Sequence, residues 1–167
     1  MKKMKQILLL SLLALFVGTI SVSAQKKKAA REFRYEIVSM GTGSQGSALI
    51  KVYSYAKKEK DALELAKQNA VHGILFKGVA GTNGTASQPA LVKPQEKENN
   101  QDFFDSFFDN GDYQRYVSLS SDGIVDPKDR MKVGKEYKIG VVVSVNKADL
   151  RKYLENEGII KGLGSMF

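Results

Sequence analysis

The spacing of apolar residues changes part-way along this chain from every second position to every third or fourth, and this change limits the folds open to it. Residues 33–40 alternate between two faces, and residues 48–55 are rich in β-branched and aromatic side chains, so both segments are predicted strands. The Gly-rich link at 41–46 predicts that they form an antiparallel hairpin. In residues 57–76, alanines recur four apart and Ile74 continues their stripe, which predicts a helix lying close against a sheet.

The second half of the chain predicts two more strands and a closing helix. Residues 116–119 are typical of a short strand. Residues 137–145 are the strongest strand of the chain, because every second residue is apolar. Asn146 then stands where a helix N-cap belongs, with Asp149 three residues later, and this spacing indicates a capped helix start.

Together these elements predict one α+β domain over residues 33–161. We expect a single, mostly antiparallel sheet of about four strands, with two helices packed on one face and an aromatic-acidic helical insert. Residues 78–98 are mainly Gly, Thr, Ser, Asn and Gln with two prolines, so a long, poorly ordered surface loop is predicted there. Residues 162–167 are predicted to be a loose tail.

Residues 1–24 have the three parts of a secretory signal peptide. Three lysines precede an apolar stretch from Ile7 to Ile20, and small residues follow up to Ala24. We therefore expect cleavage after Ala24 and a periplasmic or secreted mature protein. The apolar stretch is shorter than the about 20 residues that a spanning helix needs. Since the chain also has no Cys for a lipid anchor, no stable membrane attachment is expected after cleavage.

The formal charge of +8 is distributed unevenly along the chain. Part of it lies in the leader, and residues 25–32, which hold Lys26, Lys27, Lys28 and Arg31, are predicted to be a basic, disordered start of the mature protein. From residue 35 onward, 18 basic residues face 17 acidic ones. A nucleic-acid partner is therefore not expected, because such a partner needs basic residues gathered on a folded face. A weak contact between residues 25–34 and anionic lipid is an alternative.

Half of the eight phenylalanines lie within six residues, in a segment that also carries aspartates. A helix there would place the aromatic rings on one face and the carboxylates on another. Two interpretations stay open: a helix packed on the domain core, or an aromatic knob that binds a partner. The candidate partner-binding residues are Phe103, Phe104, Phe107 and Phe108.

The glycine pattern at 41–46 matches G-x-G-x-x-G, but it leads into a strand rather than a helix. Since a dinucleotide site needs the helix N-terminus, a flexible hairpin is the preferred interpretation and no cofactor is predicted. Ser44 sits in an incomplete nucleophile elbow, because Thr42 replaces the first glycine of G-x-S-x-G. The only histidine, His72, is expected to be a partly buried structural residue of the helix, so no catalytic residue is assigned.

Metal binding has little support in the sequence. There are no cysteines and one histidine, which excludes thiolate sites. The acidic run from Asp105 to Asp112 does not match a calcium loop, because hydrophobic residues occupy ligand positions. Weak calcium binding by Asp109 and Asp112 is the alternative.

The chain resembles an uncharacterised family of small secreted or periplasmic proteins of the Bacteroidetes. The segments that carry the resemblance are Ser23-Ala24-Gln25, Tyr35-Glu36-Ile37, residues 41–46, residues 69–74, Asp102-Phe103-Phe104 and residues 133–137. In its Ala-spaced helix, valine-rich strand and closing Leu150/Leu154 helix the chain is more distantly similar to the α+β domain of flagellar-assembly-associated outer-membrane lipoproteins. It lacks their lipid-anchoring Cys, and neither resemblance implies catalytic residues.

These features together predict a non-enzymatic, exported envelope protein that binds another envelope protein or assembles with copies of itself. Two alternatives stay open. The first is a small exported hydrolase that uses Ser44 or His72 with dispersed acids. The second is a protein that captures a glycan or peptidoglycan fragment on Tyr53, Tyr55 and Tyr137, since tyrosines stack on sugars.

Overall fold

A computed structural model of the chain describes residues 32–82 and 84–162, without the side chains of Ser44 and Ser121. The predicted signal peptide, residues 25–31 of the predicted basic start and residues 163–167 of the predicted tail lie outside these residues. The described part of the chain is a single α+β domain built on a curled antiparallel sheet, as the sequence predicts.

The domain contains the expected strands and helices in the expected order, with one strand and one short helix more than predicted. The strands are β1 (Tyr35–Thr42), β2 (Ser47–Ala56), β3 (Val117–Leu119), β4 (Arg130–Val133) and β5 (Glu136–Asn146). The helices are α1 (Glu59–Phe76), α2 (Pro94–Asn99), α3 (Gln101–Asp109) and α4 (Lys147–Asn156). Short 3-10 turns lie at Ser44–Gly46, Asp112–Tyr116, Ser120–Gly123 and Pro127–Asp129.

Strand β5 organises the sheet. One of its edges pairs with β2 over the full length of β2, and β1 then pairs with the other edge of β2. The other edge of β5 pairs with β4 near Glu136 and with β3 near Asn146. Strand β4 is not predicted from the sequence, because all four of its residues are exposed and a strand with no buried face leaves little hydrophobic pattern.

The core lies between the helices and one face of the sheet. Alternate residues of β2 and β5 point into it and are buried, namely Ala48, Ile50, Val52, Ser54, Ala56, Ile139, Val141, Val143 and Val145. Helix α1 covers this face with the predicted stripe of Ala62, Ala66, Ala70 and Ile74, and Leu150 and Leu154 of α4 join the same core. Each fully buried aliphatic side chain contributes about 1.5–3 kcal/mol, so this face provides most of the driving force for folding.

The loop predicted over 78–98 differs from the structure in two respects. Helix α2 begins at Pro94, and Val79, Leu91 and Val92 are buried rather than on the surface. The backbone N–H groups of Leu91 and Val92 donate to the carbonyls of Ile74 and Leu75, at 3.1 and 3.0 Å. Because the last carbonyls of a helix have no partner within it, the segment packs here as a cap on the end of α1.

The final helix begins as predicted. The side-chain oxygen of Asn146 accepts a hydrogen bond of 3.1 Å from the backbone N–H of Asp149, which satisfies one free donor at the start of α4. In the part of the chain that the structure describes, no helix is both long and apolar enough to cross a bilayer.

Candidate functional site

His72 is buried near the C-terminal end of α1, among aromatic rings. Its Nδ1 lies 2.7 Å from the hydroxyl oxygen of Tyr35, and its ring stacks on Phe33 with 3.7 Å between ring centres. Burial, together with the positive charges of Lys97 and Lys77, lowers the pKa of His72 to about 3. Burial also raises the pKa of Tyr35 above its usual value. The two side chains therefore form a neutral hydrogen-bonded pair at physiological pH.

The surroundings of His72 suit packing better than acid–base catalysis. A general base must reach its substrate and change protonation near the working pH, whereas His72 is 7% exposed with a pKa near 3. The structure also does not bring Ser44 to it. His72 contacts Tyr35 at the start of β1, and Ser44 follows the other end of this eight-residue strand, a separation of roughly 25 Å along the strand.

The four phenylalanines of α3 pack against the domain's own core. Phe104, Phe107 and Phe108 are buried, and Phe103 is partly buried beside them. Phe104 meets Phe76 of α1 edge-on, with 4.9 Å between ring centres. In this conformation three of the rings are covered by the rest of the domain, so the arrangement is that of the core-packing interpretation. A partner-binding role for these residues stays a prediction.

The face of the sheet away from the helices carries the tyrosines of β2 in a charged network. The hydroxyl of Tyr55 donates to Glu36 at 2.9 Å, and Lys138 donates to both oxygens of the same carboxylate at 2.7 Å. These hydrogen bonds lower the pKa of Glu36, the bond from Lys138 more than the bond from Tyr55. The guanidinium of Arg34 lies 4.1 Å from the centre of the Tyr55 ring and forms an ion pair with Glu136.

Asp129 connects this network to the turn that precedes β4. It is 6% exposed and accepts hydrogen bonds from Lys51 at 2.5 Å and from the hydroxyl of Tyr53 at 2.8 Å. Burial by itself would raise the pKa of Asp129, but the bonds from Lys51 and Tyr53 outweigh it, and the net shift is downward. Tyr53 reaches this far because Gly140 opposes it: a Cβ there would lie 2.5 Å from the Tyr53 ring.

The three tyrosines considered for glycan binding are not on one surface. Tyr53 and Tyr55 lie on the open face, whereas Tyr137 pairs with Ala56 and faces the helices. Lys138 lies over the rings of Tyr53 and Tyr55, and both hydroxyls are bonded to carboxylates. A sugar would therefore have to displace internal contacts in order to stack on these rings.

One shallow depression borders this network. Its lining residues are Glu32, Arg34, Tyr55, Leu65, Asn69 and Glu136. The volume of about 150 Å³ is smaller than the about 300 Å³ at which small-molecule sites begin. The ion pair between Arg34 and Glu136 also occupies the charged groups at its rim.

The glycine pattern and the acidic run do not form ligand sites in the described residues. The segment 41–46 makes a hairpin connection, in which Gly41 and Gly46 have φ values of +121° and +75°, so the glycines meet the needs of the turn. Asp109 and Asp112 flank the end of α3. Among residues 32–82 and 84–162, no three acidic or histidine side chains gather where a metal ion would fit.

The start of α1 and the β4–β5 hairpin together form a basic surface, which we call the basic end. Its members are Lys57, Lys58, Lys60, Lys128, Arg130, Lys132 and Lys135, all of them exposed. Arg130 forms an ion pair of 2.9 Å with Glu59, the first residue of α1. Tyr137 of β5 pairs with Ala56 on one side and Lys132 on the other, so Lys57 and Lys132 lie about two strand spacings, roughly 10 Å, apart.

Most cations of the basic end are not neutralised within the domain. Lys128 and Arg130 have ion pairs with Asp126 and Glu59. The other five, Lys57, Lys58, Lys60, Lys132 and Lys135, have no ion pair within the described residues. Of the nearby acids, Asp129 and Glu136 are already bound to Lys51 and Arg34, and the exposed Asp61 in the first turn of α1 is outnumbered by the five lysines. The basic end therefore presents unmatched positive charge to solvent.

The tip of the β4–β5 hairpin adds apolar side chains to this charge. Met131 and Val133 are 47% and 44% exposed, and they alternate with Arg130 and Lys132 along β4. Gly134, with φ of +61°, is the first residue of the two-residue connection to β5, where glycine is favoured in a type II′ turn.

The basic end is not predicted from the sequence. The near-zero charge of residues 35–167 conceals it, because charges are gathered by strand pairing between segments about 70 positions apart. The local signal is the alternation of Arg130, Met131, Lys132 and Val133 before Gly134, which is typical of a charged edge strand.

The chain has no match among protein-family models, curated proteins or solved structures.

Proposed function

We propose that this protein is an exported, non-catalytic binding module of the cell envelope, and that the basic end holds an anionic component of that envelope. The observation that carries the proposal is the group of five exposed lysines without ion-pair partners in the described part of the chain. Such a cluster attracts an anionic partner over about a Debye length, near 8 Å at physiological ionic strength.

The rigid support of this surface favours binding. The bonds from Lys51 and Tyr53 to Asp129 hold the turn before β4, and the start of β5 is paired with β2 on one edge and β4 on the other. A pre-ordered surface loses less conformational entropy when it binds. The burial of His72 and the commitment of Tyr53 and Tyr55 to internal contacts favour this function over the hydrolase and glycan-binding alternatives.

The export part of the proposal is supported by the signal-peptide pattern of residues 1–24. Mass spectrometry of the protein isolated from its native host is expected to find Gln25 as the first residue, with the protein in the periplasmic or external fraction. A product that keeps Met1 and remains in the cytosol would contradict export.

The binding part is tested with charge reversals in the full-length chain. Lys132→Glu with Lys135→Glu removes two cations of the basic end. Lys152→Glu with Lys161→Glu makes the same change in net charge at exposed residues in and after α4, the helix that follows the opposite end of β5. We expect wild type and the control variant to remain with washed cell envelopes at low salt, and the first variant to be released.

Equal release of both variants would mean that retention depends on overall charge. Unchanged retention of the Lys132/Lys135 variant would contradict the proposal. Sedimentation of the purified protein distinguishes self-association from binding to another component. If the protein self-associates, its apparent mass rises with its own concentration and needs no other component.

A further inference from the structure

We infer that the anionic partner of the basic end is a lipid surface, and that the tip of the β4–β5 hairpin enters its headgroup region; this inference rests on the proposed function. Met131 and Val133 stand exposed at the tip, between Arg130, Lys132 and Lys135. Positive charge next to exposed apolar side chains is the combination that binds the interface of an anionic bilayer.

The apolar residues distinguish a lipid from a water-soluble polyanion. A polyanion would bind the lysines and leave Met131 and Val133 in water, where exposed apolar groups gain nothing. At a bilayer, the lysines meet anionic headgroups while the two apolar side chains leave water. The attraction of the lysines to the headgroups and the burial of the apolar side chains then both favour binding.

The direction of approach follows from the fold. Ala56 and Lys132 both pair with Tyr137, the second residue of β5, so Lys57 lies level with the tip of the hairpin, where Lys132 and Lys135 stand, and Lys58 and Lys60 follow it in the chain. A tip-first approach therefore brings the cations from both segments to one plane. Helix α3, with exposed Asp102 and Asp105, packs on Phe76 at the other end of α1, about 27 Å along this helix from Glu59.

The test uses flotation of the full mature chain with phosphatidylcholine vesicles, with and without phosphatidylglycerol. Lys26, Lys27, Lys28 and Arg31 are kept in every variant, so their contribution is the same throughout. Wild type is expected to float only with the anionic vesicles. Since each lysine near such a surface changes affinity about fivefold, Lys132→Glu with Lys135→Glu should weaken binding at least about tenfold.

A second variant tests the apolar part. Met131→Ser with Val133→Ser is expected to weaken binding to anionic vesicles while leaving binding to heparin, a soluble polyanion, unchanged. Both residues are surface-exposed, and a circular dichroism melting curve checks that each variant folds. The Lys152/Lys161 variant should bind vesicles like wild type.

Two results would overturn the inference. If the Met131/Val133 variant binds anionic vesicles as tightly as wild type, the hairpin tip does not enter the lipid. If no variant or wild-type protein floats while the Lys132/Lys135 change still releases the protein from envelopes, the partner is another anionic component, and the proposed function survives without a lipid. Failure of both assays would remove the proposed function itself.

Discussion

The two ends of helix α1 have opposite characters. At the C-terminal end, which we call the aromatic end, His72 and Phe76 are enclosed by Phe33 and by the phenylalanines of α3. At the N-terminal end, about 27 Å away along 18 residues, lysines and the β4–β5 hairpin face solvent. The aromatic end is where the sequence analysis placed a candidate contact surface, yet in the structure it is packed and the basic end is open. Residue chemistry alone therefore does not tell a contact residue from a core residue.

The largest effect is expected at the aromatic end. Phe107→Ala removes a ring that is 2% exposed, and loss of a buried Phe costs about 3–5 kcal/mol. Urea unfolding should show this loss, whereas Ile124→Ala, at a residue 78% exposed, should change stability by less than about 0.5 kcal/mol. If Phe107→Ala cost less than about 1 kcal/mol, the rings would not form a core and the partner-binding interpretation would regain support.

The next largest loss of stability is expected at the Lys51–Asp129 ion pair, which lies beside the basic end. Asp129→Asn keeps the shape of the side chain but leaves Lys51, with only 16% of its side chain exposed, without its counter-charge. We expect a loss of about 2 kcal/mol in urea unfolding, below the range for fully buried pairs because Lys51 keeps some contact with water.

Asp126→Asn is the matched control for this change. Its ion pair with Lys128 is on the surface, and exposed pairs contribute little, so no measurable change is expected. Equal effects of the two substitutions would mean that the Lys51–Asp129 contact does not hold the turn.

The burial of His72 at the aromatic end predicts that the free energy of unfolding depends on pH. The pKa of His72 is about 3 in the folded protein against 6.5 for the free side chain. The unfolded chain therefore binds more protons between these values, and stability falls as pH drops below about 6.5.

The slope from one proton is at most about 1.4 kcal/mol per pH unit. Urea midpoints measured between pH 7 and pH 5 should show it, and His72→Gln should remove most of it. A wild type with equal stability at both values would place the pKa of His72 near that of the free side chain.

The smallest effect on stability is expected at the basic end. Lys132→Glu with Lys135→Glu changes exposed side chains without ion pairs in the described residues, so the free energy of unfolding should change by less than about 0.5 kcal/mol. The same variant is expected to lose envelope retention. A large loss of stability would mean that the basic end contributes to folding as the aromatic end does, and the loss of retention could then not be assigned to binding.

The sequence by itself determined the features that depend on neighbouring residues. Alternation predicts β1, β2 and β5 within one or two residues of their ends, the alanine stripe predicts α1, and Asn146 with Asp149 predicts the start of α4, because these signals arise from contacts within a few positions of the chain. The α+β class follows from their order.

Only the tertiary structure decided which residues are covered and which are gathered. The burial of the phenylalanines depends on Phe33, His72 and Phe76 reaching them from distant segments. The basic end exists because β5 pairs with β2 on one edge and with β4 on the other, which brings residues 57–60 beside residues 128–135. Long-range strand pairing has no local periodicity of its own. The alternation before Gly134 indicates an edge strand, but the gathering of its charges with those of residues 57–60 is not visible along the chain.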